Sequence, residues 1–279
     1  MNNISIAIPY HGDRFRWTMK TITNCHKLAN VTEIVITIEP LDVSSLKLER
    51  ECRIYPKVRI FKNDKKLFVF RNKVNAVQRC TNEWVALIDS DNIINSAYLG
   101  AFLNSDKNPN IIYQPSIGQP RLNFEEYIGK DIGLRYAAEQ ISTSLFNMLF
   151  NNMNYIIHRK TWLNALEGAI QSDYEPLTAD SAYINYYCLK AGMVMRVIKG
   201  MVYIHTIHNS SAPDNQKSTY MLHQEEGVRE YSKIINNLKE YLYPGVKGNV
   251  SGSLNWSAVK ESSRNPVEYK GDSSQLLTD

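Results

Sequence analysis

Short apolar runs alternate with longer amphipathic runs over roughly the first 95 residues, and this alternation constrains the fold more than any other feature. The apolar runs are rich in β-branched residues, which is typical of buried strands. The predicted strands are Ile4–Pro9, Thr32–Glu39, Val58–Phe61 and Trp84–Ile88. The predicted helices between them are Arg14–Leu28, Leu41–Cys52 and Leu67–Arg79. Strands that alternate with helices over short links predict an α/β fold, with a mostly parallel central sheet and helices on both faces.

Polar side chains follow three of these strands. They are Tyr10 to Asp13, Glu39, and Asp89 to Asn92. In open parallel sheets, ligands bind in the crevice outside the carboxyl ends of the strands. The sequence therefore predicts that these side chains converge on one binding crevice.

The second half of the chain is less regular. Predicted strands are Asn110–Gln114, Asn154–His158, Met193–Val197 and Met201–Ile204, with a loop over Gly118–Lys130. Predicted helices are Ile132–Phe150, a segment from Lys160, Ala179–Ala191 and Gln216–Tyr243. Beyond Pro244 the chain is rich in Gly, Ser, Asn and charge, which predicts loose order. We expect one α/β domain over residues 1–212, a helical C-terminal extension over 213–245, and a loosely ordered tail over 246–279.

Charge and composition exclude several classes of protein. The net charge of the 279 residues is +4, and no dense Lys/Arg stripe interleaved with aromatic residues indicates a nucleic-acid partner. No apolar stretch reaches the ~18 residues of a transmembrane segment, and no signal peptide is recognisable. The four cysteines show no C-x-x-C spacing, so we expect reduced, buried thiols. These features predict a cytoplasmic protein, at most peripheral to a membrane; the oligomeric state is not predicted.

The segment Asp89-Ser90-Asp91 directly follows a predicted buried strand. Carboxylate oxygens suit a hard divalent cation such as Mg²⁺ or Mn²⁺, which keeps open positions for substrate phosphates. The alternative is an Asx-turn or a helix cap, which uses the same residues without a ligand. The residues alone favour neither interpretation.

Four segments in order resemble the motifs of GT-A glycosyltransferases of the family-2 type. The segments are Ile4–Tyr10, Glu33–Glu39, Phe70–Ala76 and Trp84–Asn92. The resemblance implies a Rossmann-like GT-A fold. It also implies a donor site in which Pro9, Tyr10, His11 and Glu39 hold the base and ribose, Arg71 and Asn72 lie beside the nucleotide, and Asp89, Ser90 and Asp91 hold the metal ion and the diphosphate.

Later segments match the family more loosely. Asp180 lies where inverting members have their catalytic base, with a helix N-cap as the alternative and Asp173 as a second candidate base. His205 and His208 lie in the family's late histidine loop and imply a metal ligand, with Asp89 and Asp91 as the other metal ligands. Trp162, Tyr174 and Glu175 are candidates to face the acceptor. The chain departs from the family pattern where Glu39 replaces an Asp-Asp run and where Ala179 replaces a Glu.

The resemblance implies an inverting, metal-dependent transfer of a sugar from a nucleoside-diphosphate sugar to an acceptor hydroxyl, as in glycan biosynthesis. UDP is the favoured nucleotide on family grounds, and the acceptor is a glycan or another hydroxyl compound. Two alternatives remain. A sugar-phosphate nucleotidyltransferase would need a glycine-rich phosphate loop, whereas residues 9–13 contain one glycine. A non-catalytic sugar- or partner-binding module on the same fold is the other.

Overall fold

A mixed β-sheet forms the centre of the protein. The computed structural model describes residues 3–12, 14–38, 40, 43–176, 179–206 and 224–242. Glu39, His208 and the predicted tail 246–279 lie outside the described residues, so their predicted roles stay predictions.

Nine strands make up the sheet of the described chain. They are β1 (Ile4–Pro9), β2 (Val31–Ile38), β3 (Val58–Lys62), β4 (Trp84–Leu87), β5 (Ile111–Gln119), β6 (Leu122–Asn123), β7 (Asp131–Ile132), β8 (Tyr155–His158) and β9 (Val194–Ile204). Their order is β3-β2-β1-β4-β8-β5-β9-β7, and β6 pairs with β5. β1 to β4 are mutually parallel, β8 is antiparallel to both of its neighbours, and β5 and β9 are parallel to each other. The predicted mostly parallel α/β sheet is confirmed.

Helices cover both faces of this sheet, as predicted. They are α1 (Phe15–Cys25), α2 (Val43–Cys52), α3 (Val69–Arg79), α4 (Ser96–Leu103), α5 (Leu134–Gln140), α6 (Ser144–Phe150), α7 (Arg159–Ala165), α8 (Glu167–Gln171), α9 (Asp180–Lys190) and α10 (Gln224–Leu242). A short 3₁₀ helix spans Glu125–Tyr127. None of the helices in the described ranges is long and apolar enough to cross a membrane.

Each central strand contributes to two hydrophobic cores because its side chains alternate between the faces of the sheet. In β1, Ile6 and Ile8 pack with α1, α2 and α4, whereas Ala7 packs with α3, α9 and α10 on the other face. Complete burial of an aliphatic side chain of this size contributes about 1.5–3 kcal/mol. Since both faces are buried, the central strands are mainly apolar, and a polar pair within them is hydrogen-bonded, as where the Ser5 hydroxyl donates to Glu33 at 2.6 Å.

The C-terminal helix α10 belongs to one of these cores. Its Tyr231, Ile234, Ile235 and Leu238 are buried among residues of α5, α6 and α9. The four cysteines are buried and unpaired, as predicted, and burial raises the pKa of the Cys25 thiol to about 12. The helix that the sequence places in a C-terminal extension thus packs on the core of the sheet, and the predicted domain boundary stays a prediction.

Four predicted elements differ from the structure. Ile132–Phe150 is a short strand and two helices, since Ser142 and Thr143 interrupt the helix and the Thr143 hydroxyl donates to the Gln140 carbonyl at 2.9 Å. Within the predicted loop Gly118–Lys130, β5 continues to Gln119 and forms a hairpin with β6. The two strands predicted over 193–204 are one strand that bulges at Gly200, where φ is 78°.

Helix α4 was not predicted from the sequence. Its first turn is capped by the Asn95 side chain, which accepts the backbone N–H of Tyr98 at 3.2 Å. An N-cap Asn before a dense apolar run is a recognisable start signal. The run Ser96–Leu103 lacks clear amphipathic spacing, because small or apolar residues occupy all of its positions although only Tyr98, Leu99 and Phe102 are buried.

Candidate active site at the carboxyl ends of the strands

The backbone of the Asp-Ser-Asp segment is bound by one face of α1. Three polar side chains, spaced three residues apart on that helix, donate to every second backbone carbonyl oxygen from Ser90 to Ile94. The pairs are Thr18 with Ser90 at 2.8 Å, Thr21 with Asn92 at 2.9 Å, and Asn24 with Ile94 at 3.1 Å. This spacing matches the helical repeat, so a single rigid element fixes the path of the segment.

Asn154, at the start of β8, holds the same segment from the other side. Its side-chain oxygen accepts the backbone N–H of Asp89 at 3.0 Å and the amide of Asn92 at 3.0 Å. Its own amide donates to Oδ2 of Asp89 at 3.4 Å. Asn154 is 2% exposed, so these donors would be unsatisfied without it.

His205 follows β9, whose end lies beside the residues after the Asp-Ser-Asp segment, and its role as a metal ligand stays a prediction. Ile93 and Ile204 exchange backbone hydrogen bonds of 3.0 and 2.9 Å, and the Thr206 N–H donates to Oδ1 of Asn92 at 3.1 Å. The end of β9 therefore runs antiparallel to Asn92 and Ile93, and His205 lies between the two residues that make these contacts.

Lys73 of α3 joins Asp89 to Asp180, and the sequence analysis did not single it out. Its Nζ lies 3.1 Å from Oδ1 of Asp89 and 2.8 Å from Oδ2 of Asp180. Lys73 is only 3% exposed. Burial by itself lowers the pKa of Lys73, but the charges of Asp180 and Asp89 raise it more, and the resulting pKa lies above the usual range. Lys73 therefore carries a positive charge at neutral pH.

A sequence signal for Lys73 does exist. Phe70, Val74 and Val77 occupy the buried face of α3, and Lys73 falls on that same face at helical spacing. Lysine is almost never fully buried unless it is paired. A lysine within an apolar helical stripe therefore predicts carboxylate partners elsewhere in the chain.

Asp91 contacts a different cation from Asp89. Its Oδ2 lies 3.4 Å from Nη1 of Arg14, at the start of α1. The two carboxylates of the predicted metal site thus turn toward separate partners. Within the described ranges, no three His, Cys, Asp or Glu side chains are grouped so as to hold a metal ion.

Arg71 binds the segment after α8. Its Nε lies 2.7 Å from Oε2 of Glu175, and its guanidinium donates to the carbonyls of Ile170 at 3.2 Å and Ser172 at 2.6 Å. Burial raises the pKa of Glu175, although Arg71 opposes that shift. Arg71 therefore orients residues 170–175 across the crevice, and Asp173, the second candidate base, lies exposed on that segment.

Asn72 links the ends of β1 and β2. Its side-chain amide donates to the backbone carbonyl of Tyr10 at 3.4 Å, and its backbone carbonyl accepts a hydrogen bond from the Thr37 hydroxyl at 3.4 Å. The Tyr10 ring is fully buried in the core on the α1 side, whereas His11 is exposed. The backbone after Pro9, rather than the Tyr10 ring, therefore borders the crevice.

Asp180 begins α9 and lies next to a carboxylate from α10. Oε2 of Glu230 accepts the backbone N–H of Ala179 at 3.4 Å. Glu230 is 6% exposed and Asp180 is 8% exposed. Where the resemblance leads one to expect a Glu at position 179, a Glu from a distant helix contacts the backbone instead.

Comparisons with known proteins bear on the family and the fold of the chain. A family model described as glycosyl transferase family 2 matches residues 5–164. No curated protein sequence matches the chain significantly.

Two solved structures have the same fold. A structure of TarS residues 1-349 from S. aureus in complex with UDP is 13% identical, with a TM-score of 0.58 over 85% of this chain and 65% of that one. A structure of GalNAc-T7 with UDP, GalNAc and Mn²⁺ is 12% identical, with a TM-score of 0.59 over 94% of this chain and 54% of that one. The chain thus spans less than two thirds of either structure, and at these identities the likeness shows the fold alone. The predicted GT-A-type fold is confirmed.

Proposed function

The chain belongs to glycosyl transferase family 2, and we propose that it transfers a sugar from a nucleoside-diphosphate donor to a hydroxyl group of an acceptor. One observation carries the proposal: Lys73 joins Asp89, at the end of β4, to Asp180, at the start of α9. A single buried cation thus couples the strand-end carboxylate on the donor side of the crevice to the candidate base. UDP is the favoured nucleotide, because the TarS and GalNAc-T7 structures contain UDP and a further TarS structure contains UDP-GlcNAc.

Asp180 acts as the general base in this proposal. It accepts the proton of an acceptor hydroxyl held within about 3 Å. The acceptor oxygen forms a bond to the anomeric carbon as the bond from that carbon to the diphosphate oxygen breaks. The configuration at the anomeric carbon is therefore inverted. Lys73 lies within ion-pair distance of both carboxylates, so it remains paired with Asp89 after Asp180 has taken the proton.

Asp91 and His205 are the residues that would hold a divalent ion. They lie on adjacent segments, and a carboxylate oxygen with an imidazole suits Mn²⁺ better than Mg²⁺. Asp89 suits an ion less, because Lys73 neutralises it. Two protein ligands suffice for an ion that also binds substrate phosphates. When bound, the ion would neutralise charge on the leaving diphosphate.

Ligand binding tests the donor site first. UDP with Mn²⁺ is expected to raise the unfolding temperature, because a ligand at 100 times its Kd stabilises the folded state by about 2.7 kcal/mol. We expect Asp91→Asn to remove most of the Mn²⁺-dependent part of this shift. Asp106→Asn, a change in an exposed aspartate at the opposite edge of the sheet, serves as the matched control. If no nucleoside diphosphate or its sugar raises the unfolding temperature, the proposed function is wrong.

Transfer kinetics test the base. Asp180→Asn is expected to reduce kcat by about 10²–10⁴, the usual contribution of a general base, with UDP binding retained. A variant that transfers at the parent rate would exclude Asp180 and leave Asp173 or Glu230 to be tested.

A further inference from the structure

Two neighbouring cavities lie between α9 and α10. The first has a volume of about 220 Å³ and the second about 390 Å³. Tyr186 and Asn237 line both cavities, so the two lie side by side. We call this feature the tyrosine groove and define it by Tyr174, Tyr183, Tyr186, Tyr187, Asn237 and Tyr241.

The tyrosine groove begins next to the candidate base. Tyr183 lies one turn after Asp180 on α9, and Glu230, which lines the first cavity, accepts the N–H of Ala179 at 3.4 Å. Tyr174 directly precedes Glu175, the partner of Arg71. The groove residues lie outside the family match, which covers 5–164. They are therefore not part of the matched family model, and they begin beside Asp180, which would deprotonate the acceptor.

The groove presents aromatic faces at several angles. Ring centroids are 5.5 Å apart for Tyr174 and Tyr183, 4.8 Å for Tyr183 and Tyr187, and 5.5 Å for Tyr186 and Tyr187. At the two ends, Tyr174 is 38% exposed and Tyr241 is 59% exposed. A sugar ring has an apolar C–H face and a rim of hydroxyls, and tyrosine likewise combines an apolar face with a polar end.

Charged and polar side chains at the rim match neutral hydroxyls. Glu230 and Lys233 line the first cavity, and Glu240 and Lys190 line the second, so positive and negative charges balance. Lys190 also lies over the rings of Tyr186 and Tyr187, at 5.8 and 5.9 Å from their centroids. A polyanionic acceptor would need an excess of cations, which this groove does not provide.

We propose that the tyrosine groove binds a neutral carbohydrate acceptor of at least two sugar units. The first cavity is smaller than the ~300–1,000 Å³ pockets of drug-sized ligands, which suits one sugar ring with its hydroxyl directed to Asp180. The second cavity takes the next sugar, against Tyr186 and Tyr241. The acceptor role rests on the proposed function, whereas sugar binding in the groove does not.

Saturation-transfer NMR and titration with defined sugars test the binding. The probes are cellobiose, lactose, N,N′-diacetylchitobiose, methyl β-glucoside and an oligomer of glycerol phosphate. We expect at least one disaccharide to bind the parent protein and to bind Tyr186→Ala at least tenfold more weakly. Tyr55→Ala, a change in a half-buried tyrosine before β3 at the other end of the strands, is the matched control and should bind like the parent.

Tyr241→Ala is a second variant that should fold normally, because the Tyr241 side chain is mostly exposed. It is expected to weaken the disaccharide and leave methyl β-glucoside unchanged. Binding of none of the sugars, equal binding by the parent and Tyr186→Ala, or preferential binding of the glycerol phosphate oligomer would overturn the proposal. Disaccharide binding that depends on Tyr186, in a protein that binds no nucleotide, would support a sugar site and overturn its role as an acceptor site.

Discussion

Replacing Lys73 by methionine tests the central contact of the site. Methionine keeps most of the side-chain volume but removes the charge, which leaves Asp89 and Asp180 facing each other without a cation. We expect Lys73→Met to be strongly destabilised at pH 7, and Lys20→Met, an exposed lysine on α1, to be nearly neutral.

The magnitude follows from the two short ion pairs. At 2.8 and 3.1 Å and an effective dielectric constant of about 20, the attractions amount to about 6 and about 5 kcal/mol. Desolvation of the buried lysine costs several kcal/mol and offsets much of this. Removal of one partner from a buried pair typically costs about 3–5 kcal/mol, because the remaining charge is uncompensated. We expect a loss in this range.

Urea unfolding followed by tryptophan fluorescence measures the loss, since Trp84 and Trp162 are buried. The sign of the pH dependence gives a second test. Without Lys73, Asp89 and Asp180 would repel each other whenever both are ionised, so the folded state is penalised most at neutral pH. The difference from the parent should shrink as the pH falls below about 4, where the unfolded carboxylates are protonated. A loss at pH 7 under about 0.5 kcal/mol, or one independent of pH, would refute the reasoning.

Three further changes test other contacts, each by the free energy of unfolding in urea. Gly118→Ala should lower the free energy of unfolding by about 1–3 kcal/mol, because the added Cβ would lie 2.7 Å from ring atoms of Tyr203. Gly100→Ala is its control and should raise that free energy by about 0.5–1 kcal/mol, because the position lies inside α4 with open space around it. Equal effects of the two substitutions would contradict this. Asn154→Ala should cost about 1–3 kcal/mol because it leaves buried N–H donors unsatisfied. Burial alone raises the pKa of Glu33, but its hydroxyl, backbone and guanidinium donors lower it overall. Glu33→Gln should therefore be less stable than the parent by about 1–3 kcal/mol at pH 7. This difference in stability should disappear as the pH falls from about 4, where the unfolded carboxyl is protonated, through the lowered pKa of the folded protein.

Local patterns were sufficient for the strands and helices from β1 to β4. β1 to β4 and the intervening helices are confirmed because apolar spacing within each run determines which side chains are buried. The same reasoning places the polar residues after β1 and β4 at one edge of the sheet, where Asn72 and Asn154 bind them.

The ion pairs of the site could not be predicted from such local patterns. Lys73 and Asp180 are 107 residues apart, and their contact depends on how α3 and α9 pack on the same face. The tyrosines of α9 were predicted to lie on a helix, but the groove requires α10 beside it. Contacts between elements distant in sequence therefore decided the parts of the site that the sequence did not predict.

The position of Lys73 has a consequence for exchanging parts between related enzymes. The strand-end acids lie within residues 5–164, while Asp180 and the groove lie beyond the family match. A chimera that keeps the first segment and imports a new acceptor half must supply an acid at position 180. Without that acid, the buried lysine would lose one of its two counter-charges. A grafted acceptor half must therefore match the charge of the buried lysine before it can be judged by how well it binds substrate. The yield of folded chimera would show which grafts meet this requirement.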